Sequence, residues 1–479
     1  MRLLRPVPSP SAKGNDALAG ADPLDQAAGT PAPLPSNAAT SGRKNLLERV
    51  LSLATDIQAG EGAGVILLAT AFVLLLGAYY LAKTVRESLI LTEGGAEIKA
   101  YSSAAQAVLL LGVVPLYGWI TTRLNRNQVM GWTTLFFASN LVLFFLVGRM
   151  GYRVGVTYYI WVGIFNVFSV TQLWSLASDL FSECDGKRLF PLLGAGASIG
   201  AVGGAWAAGK LIKPLGPYNI MLVAASIICL SGLASRVAGH FITKHTGVAE
   251  KVKDSETLNK DGAFKLIFSD RYLLLIALLT IVLNIVSLSG DFLFGKLLVE
   301  RTDQIVGSGA ALLQARKAYV GTFYAQYYEL TNLFSFLIQT FLVSQIFKRI
   351  GVRGSLFVLP TISFTMFLSI LWFPVLSVVR TFKITENSFN YSLQNTVQHA
   401  LFLPTTREAK YKAQSAVNTF GMRLGDVLQA GIIFLGATIH LSIRSFGLIS
   451  LSMTAVWLFL ASLLYREHKR RLVHLPEAH

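Results

Sequence analysis

Of the chain's 479 residues, 53% are hydrophobic and only 14% are charged, against about 25% charged in an ordinary soluble domain. Unbroken apolar stretches of about 20 residues, each long enough to cross roughly 30 Å of hydrocarbon, recur along most of it, which excludes a soluble protein. Lys and Arg outnumber Asp and Glu by 42 to 26, for a net charge of +16. The cations sit in short loops between apolar runs, the pattern of the cytoplasmic face of a bilayer and not of a nucleic-acid surface.

Residues 1–60 read as a disordered cytoplasmic leader, rich in Pro, Ala, Gly and Ser and lacking an apolar core of signal-peptide length, followed by a short interfacial segment. Six helices are predicted near 62–90, 101–122, 128–149, 154–182, 188–212 and 217–240, making an N-terminal half over 61–240. Residues 241–269, with Lys244, Lys251, Lys253 and Lys260, form a polar cytoplasmic linker. Six more helices follow near 270–298, 318–346, 354–375, 376–402, 412–438 and 445–466, a C-terminal half over 270–466, and 467–479 is a cytoplasmic tail. The loop cations place both termini on the cytoplasmic side of a bacterial inner membrane. Thr122-Arg123-Leu124-Asn125 and Lys348-Arg349-Ile350-Gly351 close equivalent helices of the two sets. A duplicated six-helix bundle is the simplest account, and parallel repeats about a central path are the plan of major-facilitator transporters.

Ionisable groups cost several kcal/mol in hydrocarbon unless they face protein or water, so each one needs a reason. On the tenth helix Arg380, Lys383, Asn387, Tyr391, Gln394 and Gln398 share one helical face. That face either lines a wet cavity or is satisfied inside the bundle, with Glu386 pairing Lys383. On the first helix Tyr79, Lys83 and Arg86 share a face and Glu87 lies one turn beyond Lys83; these groups enter the cavity or snorkel to the helix end. Ser169, Gln172, Ser175 and Asp179 mark the fourth helix, where Asp179 is a coupling carboxylate or a partner of the Lys187-Arg188 loop. Arg423 and Asp426 on the eleventh helix either join the site or balance each other, and Asp291 and Glu329 have weaker claims. Lys83, Arg86, Arg380, Lys383 and Arg423 outnumber the carboxylates beside them, so the expected solute is a small anion.

Gly196, Gly200 and Gly204 form two overlapping small-xxx-small steps in the fifth helix, a signature of close helix packing. No phosphate-loop ending follows them. Cys184 and Cys229 lie in or beside apolar segments, the seven His residues have no metal-ligand spacing, and no nucleophile motif stands in a suitable setting. No enzyme, cofactor or metal is expected.

Two segments carry a family likeness. Leu173-Trp174-Ser175-Leu176-Ala177-Ser178-Asp179, with Asp185-Gly186-Lys187-Arg188-Leu189-Phe190-Pro191-Leu192-Leu193-Gly194, resembles the fourth-to-fifth helix signature of the ATP/ADP translocases of plastids and obligate intracellular bacteria. Tyr391-Ser392-Leu393, Leu403-Pro404, Glu408, Lys410, Lys412, Ala416-Val417 and Gly421-x-Arg423-Leu424-Gly425 are similar in spacing to that family's Lys-Tyr-Ser-Leu region and the stretch after it. More loosely, Lys83-Thr84-Val85-Arg86-Glu87-Ser88-Leu89 is similar to its first-helix motif and leaves Arg86 where a substrate-handling Lys is expected. The chain departs from the pattern at Asn390, at Asn395-Thr396-Val397-Gln398-His399 and at Asp426, where the family carries other charges. The resemblance implies nucleotide exchange, and these departures open the substrate to other organic anions.

The expectation is therefore an all-α, twelve-helix, major-facilitator-like integral membrane protein acting as a monomer in the lipid bilayer. It would exchange a nucleotide or related anionic solute by alternating access. Lys83, Arg86, Arg380, Lys383, Asn387, Tyr391 and Arg423 would bind it, with Asp179 and Asp426 for coupling or ion pairing. The rival is a proton-coupled exporter of another organic solute; a scaffold or sensor that had lost transport would have no use for the polar face of the tenth helix.

Overall fold

A computed structural model describes Ile57, residues 61–121, Arg123, and residues 126–246, 262–406 and 409–474. All described residues belong to one compact unit. The leader (apart from Ile57), the centre of the linker and the last five residues of the tail lie outside the described residues.

Long apolar runs close their backbone hydrogen bonds internally, the arrangement that hydrocarbon demands of a spanning segment. Helix α1 is Gly62–Glu93, α2 Gly95–Thr121, α3 Arg126–Arg149 and α4 Gly155–Leu180. The helical stretch Glu183–Thr246 is two spans, α5 (183–215) and α6 (217–246), broken at Gly216. With φ of 76° Gly216 occupies the left-handed region, where a Cβ is unwelcome. A short helix, Ala263–Ser269, precedes α7, Arg271–Ile305, whose N-cap Asp270 accepts a hydrogen bond from the Tyr272 amide. Helix α8 (313–350) and helix α9 (352–372) meet at Gly351, again left-handed with φ of 67°. Helix α10 runs 376–401, α11 runs 409–438, and α12 is Ile443–His474.

Among the described residues, nine helices are long and apolar enough to span hydrocarbon by length and composition. One of them holds both α5 and α6. The apolar core of α9, Val358–Trp372, is short; the turn before it brings the span to about 31 Å at roughly 1.5 Å per residue. Helix α10 falls outside that set because of its polar face. Twelve spans result, six in each half.

Two differences from the expected boundaries bear on function. Helix α2 starts at Gly95, immediately after the break at Gly94, and so carries Lys99 inside its second turn. Helix α12 continues through the expected tail to His474. Trp119, Trp132, Phe136, Phe341, Leu428, Phe434 and Phe459 are exposed on the outside of the bundle, as lipid-facing side chains should be.

With an even number of spans the described chain begins and ends at one end of the bundle; the other is here called the distal end. The halves are joined towards the distal end. The Lys317 ammonium of α8 donates to Glu93 of α1 at 2.7 Å and to the Tyr218 hydroxyl of α6 at 2.9 Å. Ser88 donates to the Lys317 carbonyl at 2.6 Å, Lys296 pairs with Glu97 at 3.1 Å, and the Tyr101 and Phe434 rings meet edge to face. Deeper in, the Tyr80 hydroxyl donates to Asn332 at 2.8 Å.

Candidate functional site

Between the halves lies a cavity of about 230 Å³. It is nearer the distal end than the termini: Lys83 is ten residues, or about 15 Å, from the distal end of α1. Six tyrosines line it, Tyr79, Tyr159, Tyr324, Tyr327, Tyr328 and Tyr391, from α1, α4, α8 and α10.

The cavity wall formed by α1 and α2 is basic. Glu87, fully buried, pairs with Arg86 at 2.5 Å and with Lys99 at 2.7 Å, and accepts a hydrogen bond from Tyr328 at 3.2 Å. The Arg86 guanidinium lies 4.4 Å from the centroid of the Tyr159 ring, and the Lys99 ammonium 5.1 Å from that of Tyr324. Lys83 differs from both. It is 9% exposed, and no carboxylate oxygen among the described residues lies within ion-pairing distance of it. Its ammonium instead sits 4.4, 5.2 and 5.6 Å from the ring centroids of Tyr328, Tyr80 and Tyr79. Ring faces attract a cation, by roughly 2 kcal/mol when desolvated, but they do not neutralise it. Three cations thus face one carboxylate on this wall.

The opposite wall is acidic. Asp291 of α7 reaches the cavity, where its side chain is 35% exposed, and pairs at 2.9 Å with Lys383 of α10, which also pairs with Glu386 at 2.7 Å. Asn387 donates to the Tyr327 hydroxyl, and Tyr391 is 46% exposed on the wall. On α11, Asp426 borders the cavity, accepts from Asn284 at 2.9 Å and pairs with Arg423 at 3.2 Å. The Gln429 side-chain oxygen is buried without a hydrogen-bond partner among the described residues, a polar atom at the cavity that a solute could satisfy.

Lys83, Arg86, Asn387, Tyr391 and Asp426 come together on this cavity. Lys383 is wholly buried behind the wall, joined to it through Asp291. Arg423 reaches the site only through Asp426. Arg380 lies elsewhere, in a groove with Glu300, Arg301 and Tyr319, with its guanidinium over the Phe323 ring. Asp179 is exposed near the termini end of α4 and is not among the cavity residues. The polar face of α10 divides partly because residues 390–394 form a π turn, which inserts an extra residue and rotates the helix below it. Gln394 and Gln398 turn inward there, and Gln398 donates to Thr280 at 3.4 Å. The apolar run near 101–122 does not reveal Lys99, because α2 starts six residues before it, at Gly95, and the polar stripes leave out the tyrosines of α8. Tyr324, Tyr327 and Tyr328 stand at helical spacings of three and four, a pattern visible in the sequence once that helix is set beside Tyr79 and Lys83.

No family model and no curated protein sequence matches the chain. Solved structures match it in fold. A bacterial homologue of the iron transporter ferroportin, in its inward-facing state, gives a TM-score of 0.60 at 12% identity, over 85% of this chain and 98% of the other. The nucleoside transporter NupG gives 0.56 at 14% identity, over 84% and 98%. A POT family transporter in complex with 5-aminolevulinic acid gives 0.57 at 12%, over 84% and 96%. The chain therefore has the all-α, two-half architecture of major-facilitator transporters and is a multi-pass membrane protein.

Proposed function

We propose that this protein is a secondary transporter that carries a nucleotide or a related ring-bearing organic anion across the membrane by alternating access. The observation that carries this reading is Lys83, an ammonium with no ion-pair partner among the described residues, held among tyrosines on the wall of a cavity between two six-helix halves. A buried cation without a counter-charge is expensive unless a ligand supplies one. The anionic end of the solute would sit on Lys83, Arg86 and Lys99, and its planar part between the rings of Tyr79, Tyr159, Tyr327, Tyr328 and Tyr391. The first-helix likeness to ATP/ADP translocases falls on the same residues, Lys83 to Leu89. Because the two walls carry opposite excess charge, a solute of low net charge suits the cavity better than a nucleoside triphosphate. The excess of Lys and Arg in loops at the termini end, among them Arg123, Lys187, Lys348 and Lys410, supports a cell-membrane protein with cytoplasmic termini.

The test is thermal stabilisation of the purified protein by ATP, ADP, nucleoside monophosphates and phosphate, followed by uptake into proteoliposomes with and without internal counter-solute. Saturable stabilisation that disappears in Lys83→Gln is expected. If no nucleotide stabilises the protein, and a different solute is carried in a protonophore-sensitive way, the proton-coupled exporter takes the place of this reading.

A further inference from the structure

The cavity's acidic wall contains a charge imbalance that anion binding does not use. Asp291 and Glu386 share one ammonium, that of Lys383, and its third donor goes to the Ser287 carbonyl at 3.2 Å. All three protons of the ammonium are thereby engaged. The other oxygen of Glu386 accepts from the Ser363 hydroxyl of α9 at 3.2 Å. Lys383 and Glu386 are 0% and 1% exposed, whereas Asp291 reaches the cavity. Two carboxylates about one buried ammonium leave one negative charge, which a proton on one of the carboxylates balances.

We propose that Asp291, Lys383 and Glu386 form a proton-binding site that links α7 to α10. The proton arrives from the cavity at the exposed Asp291 carboxylate and bonds to one of its oxygens. Asp291 then becomes neutral, its ion pair with Lys383 is lost, and Lys383 stays with Glu386. Release reverses each step. Gly290 lets the lysine approach α7 this closely: a Cβ there would lie 3.2 Å from the Lys383 ammonium and 3.0 Å from the terminal methyl of Met366. The titratable and charged groups facing the trio are Tyr324 and Tyr327 of α8, Tyr391 of α10, Lys83 of α1, Lys99 of α2 and Asp426 of α11.

The site can be tested without knowing the solute, so its failure is separate from that of the transport reading. Infrared difference spectra of the protein in nanodiscs, recorded on acidification, should show a protonated-carboxyl band that is lost in Asp291→Asn and also in Glu386→Gln. Asp303→Asn, in an ion pair with Arg316 near the distal end of α7, should keep the band. Should Glu386→Gln not fold, Asp291→Asn on the cavity wall carries the same comparison. A band that survives Asp291→Asn, or no band in the unaltered protein, overturns the proposal.

Discussion

Lys83 and Glu87 stand one helical turn apart on α1 and have opposite energetic roles. Glu87 is buried and holds two cations, so removing its charge leaves Arg86 and Lys99 partly uncompensated. Breaking a buried ion pair from one side costs about 3–5 kcal/mol. Glu87→Gln is accordingly expected to lower the unfolding temperature in nanodiscs markedly. Lys83 is buried without a carboxylate, and its ring contacts recover only part of its lost hydration. Lys83→Met should leave thermal stability unchanged or higher while abolishing anion-dependent stabilisation. A lower melting temperature for Lys83→Met would show instead that the residue serves the fold.

At the level of elements, helices meet where side chains are absent. Gly196, Gly200 and Gly204 of α5 face Ala69, Val73 and Gly77 of α1, and a Cβ on Gly200 or Gly204 would overlap the α1 backbone. In lipid no hydrophobic effect drives helices together, so this close approach is what joins them. Overpacking a tight contact costs about 1–3 kcal/mol, and more where the obstacle is backbone. Gly204→Leu should fall at or above that range in thermal unfolding, whereas Gly203→Ala, with nothing within 4 Å, should be neutral. Equal effects of the two would remove the α1–α5 contact from the account.

Across the whole molecule the two halves are fastened at the distal end, and alternating access requires that fastening to break. Its buried element is Lys317 with Glu93 and Tyr218, where the two charged side chains are only 2% and 7% exposed. Opening the distal end returns a broken pair to water, so a substitution on one side penalises the closed state alone. Glu93→Gln should therefore move the balance towards the distal-open state by about 3 kcal/mol, roughly a hundredfold in the ratio of states. Spin labels at Tyr152→Cys and Ser308→Cys, at the distal turns of the two halves, would report it as a longer distance. Adding Lys317→Met to Glu93→Gln should reverse most of the shift, because it removes the buried ammonium that the first substitution leaves unpaired. An unchanged distance in Glu93→Gln would assign the closure to the apolar contacts around the pair.

Much of this was legible in the sequence, since hydrocarbon imposes one rule on every spanning segment: about 20 apolar residues that satisfy their own backbone. Composition and the length of the apolar runs were enough for twelve helices in two halves, and the step at 196, 200 and 204 marked a packing face before its partner was known. Lys83, Arg86, Asn387 and Tyr391 could be picked out because a polar group inside a span needs a reason. Only the folded bundle decided which polar groups meet. Helical spacing gives a residue's angle about its own axis but says nothing about its neighbours on other helices. Arg380 and Lys383 therefore looked alike in the sequence, yet one faces an outer groove and the other is sealed against Asp291 and Glu386. The pairing of charges across separate helices, which leaves Lys83 alone and gives Lys383 two partners, is a property of tertiary contacts that no local pattern encodes.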